Sequence, residues 1–109
     1  RALHAVGLAI SSKRPVLCVL GNAALGQGSF FEALNIVAQQ NLPVLFVLVK
    51  IDLSTAPLAK QLSCSPLSLA RNFGIETKSI AAIPEKITQL ITYYRMQNKP
   101  VCIEIQLEK

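Results

Sequence analysis

The sequence predicts an α/β domain with a three-layer, mostly parallel sheet and helices on both of its faces. Three observations predict it. Apolar runs of strand length alternate with stretches of helical periodicity along the whole chain. The first two runs, "PVLCVL" (15–20) and "PVLFVLV" (43–49), are continuous rather than alternating, as suits strands covered on both faces. A turn of small residues and glycines, "GNAALGQG" (21–28), links the first run directly to a helix. With 109 residues, 51% of them apolar, the chain can build one core and no more than one domain.

The elements follow in order. "RALHAVGLAISS" begins without Met and already in helical periodicity, which suggests a piece of a longer protein. After the first strand, Ser29 and Glu32 have the spacing of a capping box, in which each side chain satisfies a backbone donor of the first turn. Phe30, Leu34 and Val37, with Phe31 and Ala38 beside them, predict two buried faces on that helix. Pro43 suits the start of the second strand, where a missing donor is tolerated. Residues 50–65 read as a loop. Ser65-Pro66 starts a short helix that Gly74 stops, and "IETKSI" (75–80) is a third, weaker strand. Pro84 and Glu85 suit the first turn of a helix whose Ile87, Leu90, Ile91 and Tyr94 form one stripe. "PVCIEIQL" (100–107) is the fourth strand. There is no internal repeat and no low-complexity segment.

Composition excludes several functions. Only 16% of the residues are charged, so part of the surface is expected to lie against a partner. The net charge of +5 comes from basic residues scattered singly or in pairs, with no basic stripe interleaved with aromatics, and nucleic acid is not an expected ligand. Cys18 and Cys102 sit in apolar runs and Cys64 in a polar stretch, without metal-ligand spacing, which fits reduced thiols in a cytoplasmic protein. No stretch is long enough to span a membrane and no secretory signal opens the chain. The single histidine, His4, lies on the opening helix, so no Ser-His-Asp or Cys-His set can be assembled and no catalytic residue is assigned.

In parallel sheets ligands bind at the carboxyl ends of the strands, where this chain places Gly21-Asn22-Ala23 and Lys50-Ile51-Asp52-Leu53. The first loop precedes a helix N-terminus, which favours an anion such as phosphate. Two familiar phosphate motifs fail. A P-loop needs lysine where Gln27 stands and a hydroxyl where Gly28 stands. "VKIDL" (49–53) lacks the asparagine of a guanine-reading motif, with Val49 in its place.

A third comparison is closer. From Ala5 to Leu107 the chain resembles the diphosphate-binding domain of thiamine-diphosphate-dependent enzymes, most specifically the alpha subunit of the decarboxylating component of 2-oxoacid dehydrogenases of the pyruvate, branched-chain and acetoin types. "AVGLAISSKR" resembles that family's "AVGxAxAxK" helix. The stretch from Gly21 to Val49 follows the family's glycine-acid-glycine pattern without a gap, retaining Gly21, Ala24, Gln27, Gly28, Phe31, Glu32, Ala33, Asn35, Ala38, Leu42 and Pro43. "KPVCIEIQL" is similar to the family's "xPxLIEAxT" strand. Residues 1–109 then form a single, fragmentary thiamine-diphosphate-binding-like domain.

The resemblance implies thiamine diphosphate and Mg as family cofactors, the metal being held by the acid of Gly-Asp-Gly, by an asparagine and by a backbone carbonyl. Carried over, the cofactor-binding positions are Gly21, Asn22, Ala23, Lys50 and Leu53, and the family's Asn-Asn pair falls on Lys50-Ile51. The motif is degenerate. Asn22 is neutral where the family has an acid, Ala23 adds a methyl where glycine admits the diphosphate, Lys50 brings a positive charge, and Ile51 has no ligand atom. No metal ligand is therefore assigned. Asp52 could substitute after a one-residue slip, and Lys50 could grip an anion without metal. "SIAAIP" (79–84) also departs from the family's usual "VDG". The resulting expectation is a non-catalytic domain with a structural or partner-binding role, its partner a second copy or a beta-subunit-like protein. The alternatives are part of an active oxidoreductase completed by another domain, and a metal-free binder of an anion or phosphometabolite.

Overall fold

The computed structural model describes residues 2–21, 28–51 and 66–107. In chain order the elements are α1 (Ala2–Ser12), β1 (Val16–Leu20), α2 (Gly28–Gln40), β2 (Val44–Ile51), α3 (Pro66–Asn72), β3 (Glu76–Ala81), α4 (Pro84–Arg95) and β4 (Val101–Leu107). The four strands form one sheet in the order β1-β2-β4-β3, and every neighbouring pair is parallel.

Crossover handedness explains the layering. A right-handed crossover puts its helix on a face set by the direction of travel across the sheet. The connections from β1 to β2 and from β2 to β3 run one way, and the return from β3 to β4 runs the other. Accordingly α2 and α3, together with α1, pack on one face, against Cys18, Leu20, Val44, Phe46, Leu48 and Cys102. Helix α4 packs on the opposite face, its Ile87, Leu90, Ile91 and Tyr94 against Leu45, Val47, Val101, Ile103 and Ile105. Phe30 and Phe46 meet edge to face, 5.9 Å apart, at the centre of the first layer.

Four expectations are corrected. Strand β1 is not covered on both faces: it lies at the sheet edge, and Leu17 and Val19 are 51% and 41% exposed. The reason is coverage, since a helix about 10 Å wide spans roughly two strands, and α4 sits over the β2, β4 and β3 side. Phe31 is 51% exposed and meets Phe73, the residue after α3, edge to face at 5.2 Å, so it does not form a second buried face of α2. Helix α2 starts at Gly28, which puts Ser29 inside the first turn instead of at the cap. Finally, Lys50 and Ile51 belong to β2, in register with Gln106 and Leu107, and are not loop residues.

Each of the four described helices is followed at the amino edge of the sheet by a left-handed residue that helps turn the chain into the next strand: Lys13 (φ 57), Asn41 (φ 52), Gly74 (φ 79) and Asn98 (φ 58). The amides of Leu42 and Ile75 bond back to Val37 and Ala70, each at 3.1 Å, closing the ends of α2 and α3. A Cβ on Gly74 would meet open space, so the cost of Gly74→Ala is backbone strain alone. We expect urea unfolding to show a loss of about 1–2 kcal/mol for that variant.

A polar latch ties the β3–α4–β4 unit at the same edge. Lys99 Nζ donates to Glu76 Oε1 at 2.5 Å and the Tyr94 hydroxyl donates to Glu76 Oε2. Lys99 and Tyr94 hold the Glu76 carboxyl below its ordinary value of 4.5. Burial, with Glu76 as the second cause, pushes the Tyr94 hydroxyl up. Because Glu76 is bound more strongly as the anion, its contribution is present above the ordinary carboxylate pKa and is lost as pH falls through the lower folded value. Glu76 and Lys99 are each over a third exposed, which limits the pair to about 1 kcal/mol. In chemical denaturation, Glu76→Gln should be less stable than the parent at pH 7, and the gap should narrow below about pH 4.5.

Candidate functional site

The carboxyl edge of the sheet is stepped. Strand β1 pairs with β2 only as far as Leu20 opposite Leu48, whereas β2 continues to Ile51 and β4 to Leu107. The three further residues of β2 project roughly 10 Å beyond the end of β1. Gly21 leaves β1 at this step, exposed, with no atom near the place a Cβ would take. Gly21 and Lys50 are thus brought to the same edge on neighbouring strands, as the sequence predicts. Asn22, Ala23, Leu53 and Asp52 lie outside the described residues, as do Gln27 and Cys64.

Below this edge lies a residue that the sequence reading passed over. Leu20, Leu48, Glu104 and Ser79 form one transverse row across the four strands. Glu104 is 6% exposed and is the one charged residue buried among the described residues. Its Oε1 accepts hydrogen bonds from Ser79 Oγ at 3.4 Å and Gln106 Nε2 at 3.2 Å. Among the described residues no donor reaches Oε2. The available signal was a single acid inside the apolar run "PVCIEIQL", where burial forces a carboxylate to find partners or remain uncompensated.

Other reactive groups are quiet. Cys18 and Cys102 are buried and in no disulfide, and burial pushes the Cys102 thiol up to about 12, which leaves it protonated and unreactive. His4 is exposed on α1. Among the described residues no three His, Cys, Asp or Glu side chains gather to hold a metal. No described helix is long and apolar enough to cross a membrane. Two open clefts, of about 430 and about 370 Å³, lie at the amino edge, lined by helix ends such as Lys13, Asn41 and Gly74. They face away from the carboxyl edge, and the carboxylate at the second, Glu76, is already engaged by Lys99 and Tyr94.

This fold and edge geometry can be set against known proteins. No curated protein sequence matches the chain. Among solved structures, a putative thiamin diphosphate-dependent enzyme from Mycobacterium smegmatis superposes with a TM-score of 0.75 at 21% identity, over 99% of this chain and 22% of its own. Transketolase from Campylobacter jejuni subsp. jejuni superposes with a TM-score of 0.85 at 18% identity, over 96% of this chain and 19% of its own. The chain therefore has the sheet and helix arrangement of these enzymes and spans about a fifth of their length. The family profile described as "Dehydrogenase E1 component" matches residues 4–106, nearly the whole sequence. The chain belongs to the dehydrogenase E1 component family.

Proposed function

We propose that this chain is a degenerate diphosphate-binding domain of the E1 alpha type, one that keeps the family's fold and does not hold thiamine diphosphate through magnesium. The observation that carries the reading is the donor set at the carboxyl edge. Asn22 stands where the family has an acid and Ile51 where it has a ligand asparagine. Magnesium demands near-octahedral oxygen ligands and usually a carboxylate. Replacing the carboxylate by an amide removes attraction on the order of several kcal/mol at about 4 Å and an effective dielectric near 20. Ile51 supplies no oxygen, and Ala23 places a methyl where the diphosphate would approach. The donor set does not fit the group, and no catalytic step is assigned to it.

A structural or partner-binding role is supported by the surface. Helix α1 buries small residues, Ala2, Ala5, Val6 and Ala9, and exposes the larger Leu3, Leu8 and Ile10. That distribution is the reverse of a free-standing amphipathic helix. A covering protein, whether a second copy or a beta-subunit-like chain, would bury this face. A second reading has its own observation: the chain spans about a fifth of its structural neighbours, so further domains could complete an active oxidoreductase around it.

Calorimetric titration of the chain with thiamine diphosphate, once with magnesium and once with EDTA, separates the readings. With magnesium alone titrated as the blank, we expect no binding heat in either condition. Heat that requires magnesium would favour the active-enzyme reading with Asp52 as replacement ligand, and equal heat in both would favour a metal-free anion site at Lys50.

A further inference from the structure

The basic residues are scattered along the sequence, and the fold gathers them. Each described helix ends at the amino edge of the sheet, and that edge collects Lys13, Arg14, Arg71, Arg95 and Lys99. Glu76 is the one acid among the described residues there, and Lys99 already pairs with it. The other described residues are balanced, with Lys50, Lys78 and Lys86 against Glu32, Glu85 and Glu104. The rest of the chain holds two acids, Asp52 and Glu108, against Arg1, Lys60 and Lys109. Five basic residues against one acid therefore give this edge most of the net charge of +5.

Helix dipoles offset only part of it. Four helix carboxyl ends meet at this edge, each equivalent to about half a negative charge and together to about two. Arg71 and Arg95 stand in the last turns of α3 and α4 and match that amount. Lys13 and Arg14 follow the end of α1, are exposed, and remain as surplus.

The clefts at this edge give the charge a shape. The cleft of about 430 Å³ runs from Lys13, on the β1 side, to Asn98, and the cleft of about 370 Å³ runs from Lys99 to Arg71, on the β3 side. Asn41 lines both, so the two adjoin along the edge. The outer strands β1 and β3 lie three strand spacings apart, roughly 14 Å, which is the length of about four extended residues. Gln40, Asn41 and Asn98 supply carboxamides that can donate to and accept from a peptide backbone. Arg71 gives its Nε to Thr77 Oγ1 at 3.0 Å, which orients a guanidinium whose fork matches a carboxylate. No aromatic ring lines either cleft among the described residues, so nucleic-acid bases find no stacking platform there. A second copy of this basic chain would bring charge of the wrong sign.

We infer that the amino edge is a docking surface for an extended acidic segment of another protein. The segment lies across the strand starts, with carboxylates toward Lys13 and Arg14 at one end and toward Arg71 at the other. The inference does not rest on the degenerate reading of Asn22 and Ile51, which concerns the opposite edge.

The test is fluorescence anisotropy of the full chain with a labelled hexaglutamate peptide, and with a labelled single-stranded thymidine hexanucleotide as the rival polyanion. Saturable binding of the peptide, tighter than that of the oligonucleotide, is expected. Lys13→Glu should weaken it about tenfold or more. Lys86→Glu makes the same change of charge at the start of α4, at the other end of the sheet, and should stay within about twofold of the parent. No binding by the parent, tighter binding of the oligonucleotide, or equal losses in the two variants overturns the surface. Should Lys13→Glu fail to fold, amide chemical shifts of the parent decide: changes on peptide addition at Lys13, Asn41 and Asn98 support the surface, and changes confined to the carboxyl edge around Gly21 overturn it.

Discussion

The parallel pairing of β2 with β4 is the constraint on which the rest depends. These strands are distant in sequence, lie side by side at the centre of the sheet, and take helices on both faces. Parallel neighbours cannot be joined by tight hairpins, so every connection must leave at the carboxyl edge and return through a helix to the amino edge. The four left-handed helix ends are the returns. Among the described residues the core is built from strand and helix interiors. On the reading proposed above, a chain of this design loses ligand residues at positions 22, 23, 50 and 51 and keeps the residues packed on both faces of its sheet.

Two acids of the sheet mark its two edges. Glu76, at the amino edge, meets an ammonium and a phenolic hydroxyl and fastens the last crossover to its strand. Glu104, nearer the carboxyl edge, accepts from Ser79 and Gln106 on one oxygen.

Much of this architecture was legible in the sequence. The four strand runs, the proline starts at Pro66 and Pro84, the stop at Gly74 and the stripe of α4 are local signals, and each appears where its chemistry requires. What was not legible depends on neighbours. The run in β1 has the composition of a doubly covered strand, but only strand order reveals that α4 stops short of it and leaves Leu17 and Val19 exposed. Phe31 looks like core and is half exposed, with the ring of Phe73 beside it. The extra ladder residues of β2 came from pairing with β4, which no local propensity encodes. The placing of Gly21 and Lys50 at the carboxyl edge followed from the order of the apolar runs, while Glu104 was hidden in one because its burial arises from packing beside Ser79.

The central claim is that ligand residues were lost from a retained fold, and restoring them tests it most directly. The measurement is the affinity of magnesium and thiamine diphosphate for the parent chain and for a variant carrying Asn22→Asp, Ala23→Gly, Lys50→Asn and Ile51→Asn, compared side by side by calorimetry. The account predicts a titratable, magnesium-dependent complex in the restored variant and none in the parent. Equal binding by the two chains, or no gain on restoration in a variant that folds as the parent does, would contradict it.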